Sequence, residues 1–334
     1  MPIVGCAHPR PASTARVTER IRHYERQVEK YPRHYPAYVS LGYACLDRAR
    51  QTHDAAWVRK ARAYVARSLE IQPSLTGYQA MAAICNFAHR FPEAIVWGEQ
   101  AAQAAPEDTS VTALLVEAHL ALGQIEEATR LCQRTAAGAE DFHGLVAKAR
   151  LAAAQERPAE AAELFVRAAA ASGEAREFAT WALVMAAGVW IDAGRTAEAR
   201  LLLDDAARLD DADFMLALHR AELAEAEGDW PEALARYERL AAEDGDPTVH
   251  ARAFIAARRL GNESAGHRHF TAAELAYRKV LAEGEVYTLG SLADLYAEAG
   301  VKLPEALALA EQNLSFVRDR RSRDLVERLG VKND

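Results

Sequence analysis

The stretch that decides the fold runs from Val111 to Arg134 and reads VTALLVEAHLALGQIEEATRLCQR. Small and apolar residues dominate on either side of Gly123, and the segment GQIEEA follows directly. Glycine readily adopts the left-handed conformation that ends a helix, and acidic residues are common in the first turn of the next one. The stretch therefore predicts two helices joined by a tight turn. One such hairpin cannot bury its apolar side alone and needs neighbours on both sides.

Similar stretches recur along the chain at near-constant spacing. Turn segments of the same kind appear as ALGQIEEA (121–128), DAGRTAEA (192–199) and AEGDWPEA (226–233). Eight copies can be aligned, with a single helix before the first, over about Thr18 to Pro32, and another after the last, over about Arg320 to Leu329. Each match is weak by itself, whereas the regular spacing of several is a strong signal of a repeat array.

The repeated pattern resembles the tetratricopeptide repeat, a helical hairpin with a large residue, Leu-Gly and Tyr in helix A and Ala-x3-Phe in helix B. Its first copy here contains Tyr38, Leu41-Gly42 and Cys45, followed by Ala61 and a closing Pro73. The resemblance implies an all-α, right-handed α-solenoid of about eight helix-turn-helix hairpins. On this basis we expect a flexible N-terminal tether at 1–17, the solenoid at 18–330 and a short tail at 331–334.

The composition agrees with a helical chain. Alanine supplies 73 of the 334 residues, while glycine supplies 18 and proline 12. Alanine has the highest helix propensity and fits where helices approach closely. A chain that is 50% hydrophobic is not disordered, and few turn residues argue against an all-β fold. Length alone suggests about two globular domains, but the periodicity favours one extended array instead.

Two copies depart from the regular repeat length. The first has about seven extra residues between its helices, within 48–61, and the seventh has an expected loop at 262–269. Insertions in a solenoid usually lie in loops at its edges, where they can carry function or drift neutrally. The sequence leaves the role of both insertions open.

The charge distribution excludes some classes of partner. The net charge is −8, so wholesale nucleic-acid binding is not expected. Residues 1–74 carry a net charge of +7 and the remainder −15, so the basic end could lie against an anionic surface or simply be a solvated helix face. No apolar run is long enough to span a bilayer.

Candidate catalytic and metal-binding residues have simpler interpretations. Cys85 and His89 suit a Cys–His dyad by spacing, but Cys45 and Cys85 occupy equivalent packing positions in successive copies. His267 and His269 form the best local pair for a metal, although no third ligand is near them in sequence. No phosphate-binding loop or hydrolase motif occurs. We therefore expect no enzyme activity, no cofactor and no metal.

The resemblance also implies where a partner would bind. In the repeat family, residues of the first helix in each hairpin line a concave groove that holds a peptide. These positions correspond here to Val39, Tyr43, Gln79, Asn86, Glu117, Arg150, Glu222 and Asp294. The Lys/Asn carboxylate clamp of chaperone-binding members is absent. The expected function is a protein-interaction scaffold or assembly factor whose partner is a basic or apolar protein segment.

Two other functional classes remain open from the sequence. A regulatory sensor would bind a peptide or small ligand in an enclosed pocket and shift the array. An enzyme with a helical shell would bring reactive groups together, for instance around His267 and His269.

The first residues contain a further motif. Ile3-Val4-Gly5-Cys6 resembles the bacterial lipobox, in which the cysteine carries the lipid, so Cys6 is a possible attachment site. Only five residues precede it, and they provide no charged and apolar signal segment. The prediction is a cytoplasmic protein if the start is as written, and a periplasm-facing lipoprotein of the cell envelope if translation starts upstream.

Overall fold

The computed structural model describes residues 14–134, 140–211, 213–244 and 246–331. These residues form eighteen α-helices and no strand. The helices are α1 (Thr14–Lys30), α2 (Tyr35–Thr52), α3 (Ala55–Ile71), α4 (Leu75–Phe87), α5 (Phe91–Ala104), α6 (Thr109–Ala121), α7 (Ile125–Arg134), α8 (Phe142–Ala154), α9 (Pro158–Ala171), α10 (Arg176–Asp192), α11 (Thr196–Leu209), α12 (Phe214–Ala226), α13 (Trp230–Asp244), α14 (Pro247–Arg259), α15 (Glu263–Ala282), α16 (Leu289–Ala299), α17 (Leu303–Asn313) and α18 (Arg320–Val331).

The helices from α2 to α17 pack as eight antiparallel hairpins, each made of an even-numbered A helix and the odd-numbered B helix after it. Helix α1 packs on the first hairpin and α18 on the last. The predicted all-α solenoid of eight hairpins with a single helix at each end is confirmed. Helix α1 begins at Thr14, and the division into tether, solenoid and tail stays a prediction.

One small residue recurs at the same place in every B helix. It is an alanine with almost no exposed surface, and it lies where the B helix crosses its neighbours. The eight are Ala61, Ala94, Ala128, Ala161, Ala199, Ala233, Ala273 and Ala306. The absence of a larger side chain lets the helices approach closely. Most residues four positions later are larger and buried, such as Val65, Phe165 and Tyr237, so they fill the space between consecutive hairpins.

Both predicted insertions are helical, so the expectation of loops is wrong. The extra residues of the first hairpin lengthen α2 and α3 and leave only His53 and Asp54 between them. Asp54 starts α3 by accepting a hydrogen bond from the backbone N–H of Ala56. In the seventh hairpin, Asn262 caps α15 in the same way, and residues 263–269 form its first two turns. Local caps and burial against α14 favour a helix over an open loop.

The array curves until its C-terminal part contacts its N-terminal half. The backbone N–H of Arg318 donates a hydrogen bond of 2.7 Å to the carbonyl oxygen of Ala121. Val317 is buried in the apolar cluster of the first hairpins, and the ring of Tyr287 lies 5.9 Å from that of Phe87. We call these contacts, between 283–287 or 316–320 and the first four hairpins, the closure. They make the solenoid a closed curve rather than an open arc.

Gly123 is required by the closure as well as by its own turn. Its φ is +70°, where other residues are strained. A Cβ atom added there would lie 2.8 Å from the carbonyl oxygen of Arg318. Any other residue would therefore clash with the backbone segment that closes the array.

The uneven charge of the sequence is partly neutralised at the closure. Arg59 forms a 3.0 Å ion pair with Glu283, and Arg62 lies 3.6 Å from Glu285. Arg90 lies 3.9 Å from the same Glu285 carboxylate. Basic residues of the N-terminal half thus face acidic residues of the C-terminal part. Within the described ranges, no helix is long and apolar enough to cross a membrane.

Candidate partner-binding channel

The concave side of the curved array forms a half-open channel with a cavity of about 930 Å³. Its wall consists of residues from the A helices α6, α8, α10, α12, α14 and α16, and α18 covers one side. The B helices contribute only their first residues, such as Ile125, Pro158 and Trp230. The geometry agrees with the family pattern in which A helices form the inner surface.

Three of the predicted groove residues form one buried network on consecutive A helices. The Nη1 atom of Arg150 lies 3.1 Å from a carboxylate oxygen of Glu117, and both side chains are about 95% buried. The side-chain amide of Asn86 donates hydrogen bonds to Glu117 and to the carbonyl oxygen of Leu114, which lies 3.0 Å away. Breaking the ion pair of Arg150 and Glu117 would be costly, because it would leave a buried charge without its counter-ion. Arg150 and Glu117 border the cavity.

Glu222 belongs to a second charged group, around Arg252. The guanidinium of Arg252 lies 3.3 Å from Glu225 and 3.9 Å from Glu222. Burial alone would lower the pKa of Arg252, but the carboxylates of Glu225 and Glu222 outweigh it and raise the pKa above its ordinary value. Glu225 also accepts a 2.8 Å hydrogen bond from the hydroxyl of Tyr237. The guanidinium of Arg252 therefore stays charged at any ordinary pH.

Asp294 lies on the wall between α16 and α18. Its two carboxylate oxygens accept hydrogen bonds of 2.7 Å from Arg321 and 2.8 Å from Arg328. Arg328 also binds Glu298 at 3.0 Å. Two arginines of α18 therefore neutralise Asp294, which the sequence predicts to bind a partner.

The other predicted groove residues lie away from the cavity. Val39 and Tyr43 pack in the apolar cluster of the first hairpins, and burial raises the pKa of Tyr43 to about 12. The amide of Gln79 donates 3.0 Å hydrogen bonds to Asp108 and Ser110 on the next A helix. Cys6 lies outside the described residues.

The candidate reactive groups are separated or inert. Burial raises the pKa values of Cys45 and Cys85 to about 12 and that of Cys132 to about 11, so their reactive thiolates are disfavoured. His267 is exposed, whereas His269 is buried against α14, so the two do not converge on one ion. Among the described residues, no group of three or more His, Cys, Asp or Glu side chains is arranged to hold a metal.

Three lining residues were not found by reasoning from the sequence. Trp230 begins α13, Arg259 ends α14 and Arg323 lies on α18, and all three border the cavity. Trp230 stands out in the turn segment AEGDWPEA, but nothing local says that this turn faces the channel. Arg323 reaches it only because the array closes.

Comparison with known proteins agrees with this architecture. Residues 88–149 match the tetratricopeptide repeat family. The chain is similar in fold to a structure of the APC/C hetero-tetramer Cut9–Hcn1, with a TM-score of 0.55 and 15% identity over 87% of this chain and 55% of that one. The chain thus spans about half the length of that relative. No curated protein matches it.

Two further solved structures are more distant in backbone shape. A tetratricopeptide repeat protein from Parabacteroides merdae has a TM-score of 0.40 and 13% identity over 92% of this chain and 99% of that one. YrrB, a TPR protein with an unusual peptide-binding site, has a TM-score of 0.34 and 16% identity over 58% of this chain and 95% of that one. The family match in residues 88–149 and the eight stacked hairpins confirm the resemblance: the chain is an α-solenoid of tetratricopeptide-repeat-like hairpins.

Proposed function

We propose that the protein is a non-catalytic interaction scaffold that holds a segment of a partner protein in the concave channel. The observation that supports this is the cavity of about 930 Å³ bordered by six consecutive A helices. A cavity of this size is typical of ligand-binding sites, and its wall combines apolar side chains with fifteen charged ones among 27 lining residues. Stacked hairpins present the surface already formed, so little ordering is needed when a segment binds.

Part of the wall suits apolar side chains on the partner. Leu120, Val189 and Ile255 border the cavity and are only half-buried. The sequence also predicts a basic partner, because acidic residues such as Glu222 and Asp294 occupy groove positions. Both lie beside arginines of the chain itself, so they attract an external cation less than the sequence suggests.

A regulatory sensor is the second candidate, and the closure favours it. Because the C-terminal part contacts the first hairpins, a ligand in the channel can change how tightly the array closes. The scaffold alternative predicts the same closure with and without the partner, whereas the sensor predicts a change in radius of gyration on binding.

Site-specific photo-crosslinking tests the location of the partner. A photoreactive phenylalanine analogue is placed at Val189 or Ile255 inside the channel, and in matched variants at Leu201 or Leu275. The latter two are 67% and 71% exposed on B helices. We expect one and the same partner polypeptide to be captured from the channel positions only. Capture from Leu201 and Leu275 without capture from the channel would contradict the proposal.

A further inference from the structure

The acidic side chains that border the channel are already engaged within the protein. Six of them, Glu117, Glu156, Glu225, Asp294, Glu298 and Asp324, lie in ion pairs with arginines of the same chain. Asp319 accepts a 2.8 Å hydrogen bond from the backbone N–H of Ser322 at the start of α18, and Asp192 also has an interaction within the protein. Each acidic side chain on the wall therefore already has a partner within the protein, although Arg320 and Arg328 each pair with two carboxylates.

Two arginines on the same wall lack such compensation. Arg259 and Arg323 border the cavity, are exposed, and form no ion pair with any residue in the described ranges. Arg259 lies at the C-terminal end of α14, where the helix dipole favours a cation without a carboxylate partner. The charged side chains of the wall that lack a partner are therefore arginines, although its seven arginines face eight carboxylates and the whole chain has a net charge of −8.

The surroundings of Arg259 prepare it to bind a carboxylate. Its guanidinium lies over the ring of Trp230, 5.3 Å from the ring centre. An aromatic ring contacts the flat face of a guanidinium and leaves its edge N–H groups free, and these match the two oxygens of a carboxylate. Trp230, Ile255 and Leu325 add apolar surface on the same wall.

We propose that the channel selects a partner segment that carries carboxylates alongside apolar side chains, with Arg259 and Arg323 binding the carboxylates and Trp230 the apolar part. This rests on the proposed scaffold function and specifies its ligand class. It replaces the basic partner expected from the sequence, because the charged side chains left without a partner in the folded channel are arginines.

Fluorescence anisotropy with defined peptides tests the charge preference. The probe is a labelled peptide of glutamate, leucine and serine, and its matched versions carry lysine or glutamine in place of every glutamate. We expect the acidic peptide to bind most tightly and to weaken as salt is added. Each of Arg259→Ala and Arg323→Ala should weaken it about fivefold, the loss expected for one partly exposed ion pair.

Arg208→Ala is the control variant. Arg208 is 76% exposed on α11, outside the residues that border the channel, and it pairs with Asp205. Its removal changes the net charge equally and should leave binding unchanged. The inference is overturned if the lysine peptide binds as tightly as the glutamate peptide, if none of the peptides binds, or if the channel variants behave like the control. If photo-crosslinking still places the partner in the channel in any of these cases, the proposed scaffold function is retained and only the preference for carboxylates is wrong.

Discussion

At the residue scale, one alanine in each B helix controls how closely neighbouring helices approach. Ala233 is an example: it has no exposed surface, while Ala235 on the same helix is exposed. Both are alanines in α13 with the same helix propensity, so only packing distinguishes them. The alanines that recur in the sequence therefore mark the positions where neighbouring helices pack closely.

A pair of substitutions tests this role. Ala233→Leu should destabilise the protein by about 1–3 kcal/mol, because a larger side chain forces a close-packed contact apart. Ala235→Leu should change stability by less than about 0.5 kcal/mol. Urea unfolding followed by circular dichroism measures both. Equal effects of the two substitutions would show that close approach at Ala233 is not required.

The buried pair of Arg150 and Glu117 makes a second prediction at this scale. Arg150→Met should cost about 3–5 kcal/mol of unfolding free energy, since it leaves the Glu117 carboxylate buried without its cation. Adding Glu117→Gln to that variant should recover part of the loss, because the second substitution removes the uncompensated charge. Urea unfolding of both variants gives the comparison, and a double variant less stable than Arg150→Met would contradict the pairing.

At the scale of elements, α14 and α15 are joined by two histidines. The Nδ1 atoms of His250 and His269 lie 2.9 Å apart in a hydrogen bond. Burial lowers the pKa values of both, and the positive charge of Arg268 lowers them further, while Asp246 and Glu238 act in the opposite direction. One ring nitrogen must donate and the other accept, so protonation of both rings breaks this contact.

The sign of the pH effect follows from the lowered pKa values. The folded protein binds these protons less readily than the unfolded chain, whose histidines have pKa values near 6.5. The stabilisation is therefore present above about pH 6.5 and is lost as the pH falls through the lower, folded pKa values. The urea midpoint should decrease over that range.

Two glutamine substitutions check the assignment of this pH effect. His250→Gln should make the urea midpoint less dependent on pH, whereas His267→Gln, at an exposed position of α15, should not. Part of the dependence remains in either variant, because burial also lowers the pKa of His143. An identical pH profile for the parent and His250→Gln would rule out the histidine pair as the cause.

At the scale of the whole molecule, the closure combines apolar contacts with imperfectly paired charges. Glu285 is almost completely buried, yet its Oε2 atom has no hydrogen bond among the described residues and lies 3.6 Å and 3.9 Å from Arg62 and Arg90. A buried carboxylate at such distances is stabilised less than one in a close ion pair. The closure is therefore the part of the array that should open first.

Charge reversal at the closure tests whether these pairs hold it. Glu283→Lys combined with Glu285→Lys places cations against Arg59, Arg62 and Arg90, so the array should open. We expect a larger radius of gyration in small-angle X-ray scattering, and helix content should be retained because each hairpin contacts mainly its neighbours.

A double variant with the same change in net charge serves as the control. Glu126→Lys and Glu163→Lys replace exposed glutamates that form no ion pair within the described ranges. Their radius of gyration should equal that of the parent. If the closure variant also keeps the parental radius, the apolar contacts of Tyr287 and Val317 are sufficient by themselves.

Most of the fold could be predicted because its contacts are local. The eight hairpins, their glycine turns and their alanine contacts each depend on residues within about one or two repeats, and such contacts produce a visible period. The errors lie where the period breaks. Residues 48–61 and 262–269 look like loops by length, but capping by Asp54 and Asn262 and burial on neighbouring helices leave only His53, Asp54 and Asn262 outside the helices.

The candidate site could be predicted only in part. Asn86, Glu117 and Arg150 were placed by their repeat positions, and the structure joins them into one network. Their mutual pairing could not be read from the sequence, because it depends on which side chains of consecutive A helices meet. The arginines of α18 are still less visible, since they approach Asp294 only across the folded array.

The sequence by itself determined the helices, their pairing into hairpins and the repetition of eight, because these follow from periodic contacts between neighbours. Only the tertiary structure decided the closure, the channel and which of its charged side chains lack a partner. The physical reason is that each hairpin is rotated slightly relative to the one before it, and closure depends on the sum of these rotations over eight hairpins, two of which have lengthened helices. No local segment of the sequence determines that sum. Closure brings charged side chains that are far apart in the chain into ion pairs. Which arginines remain without a carboxylate partner can be seen only once these pairs are known.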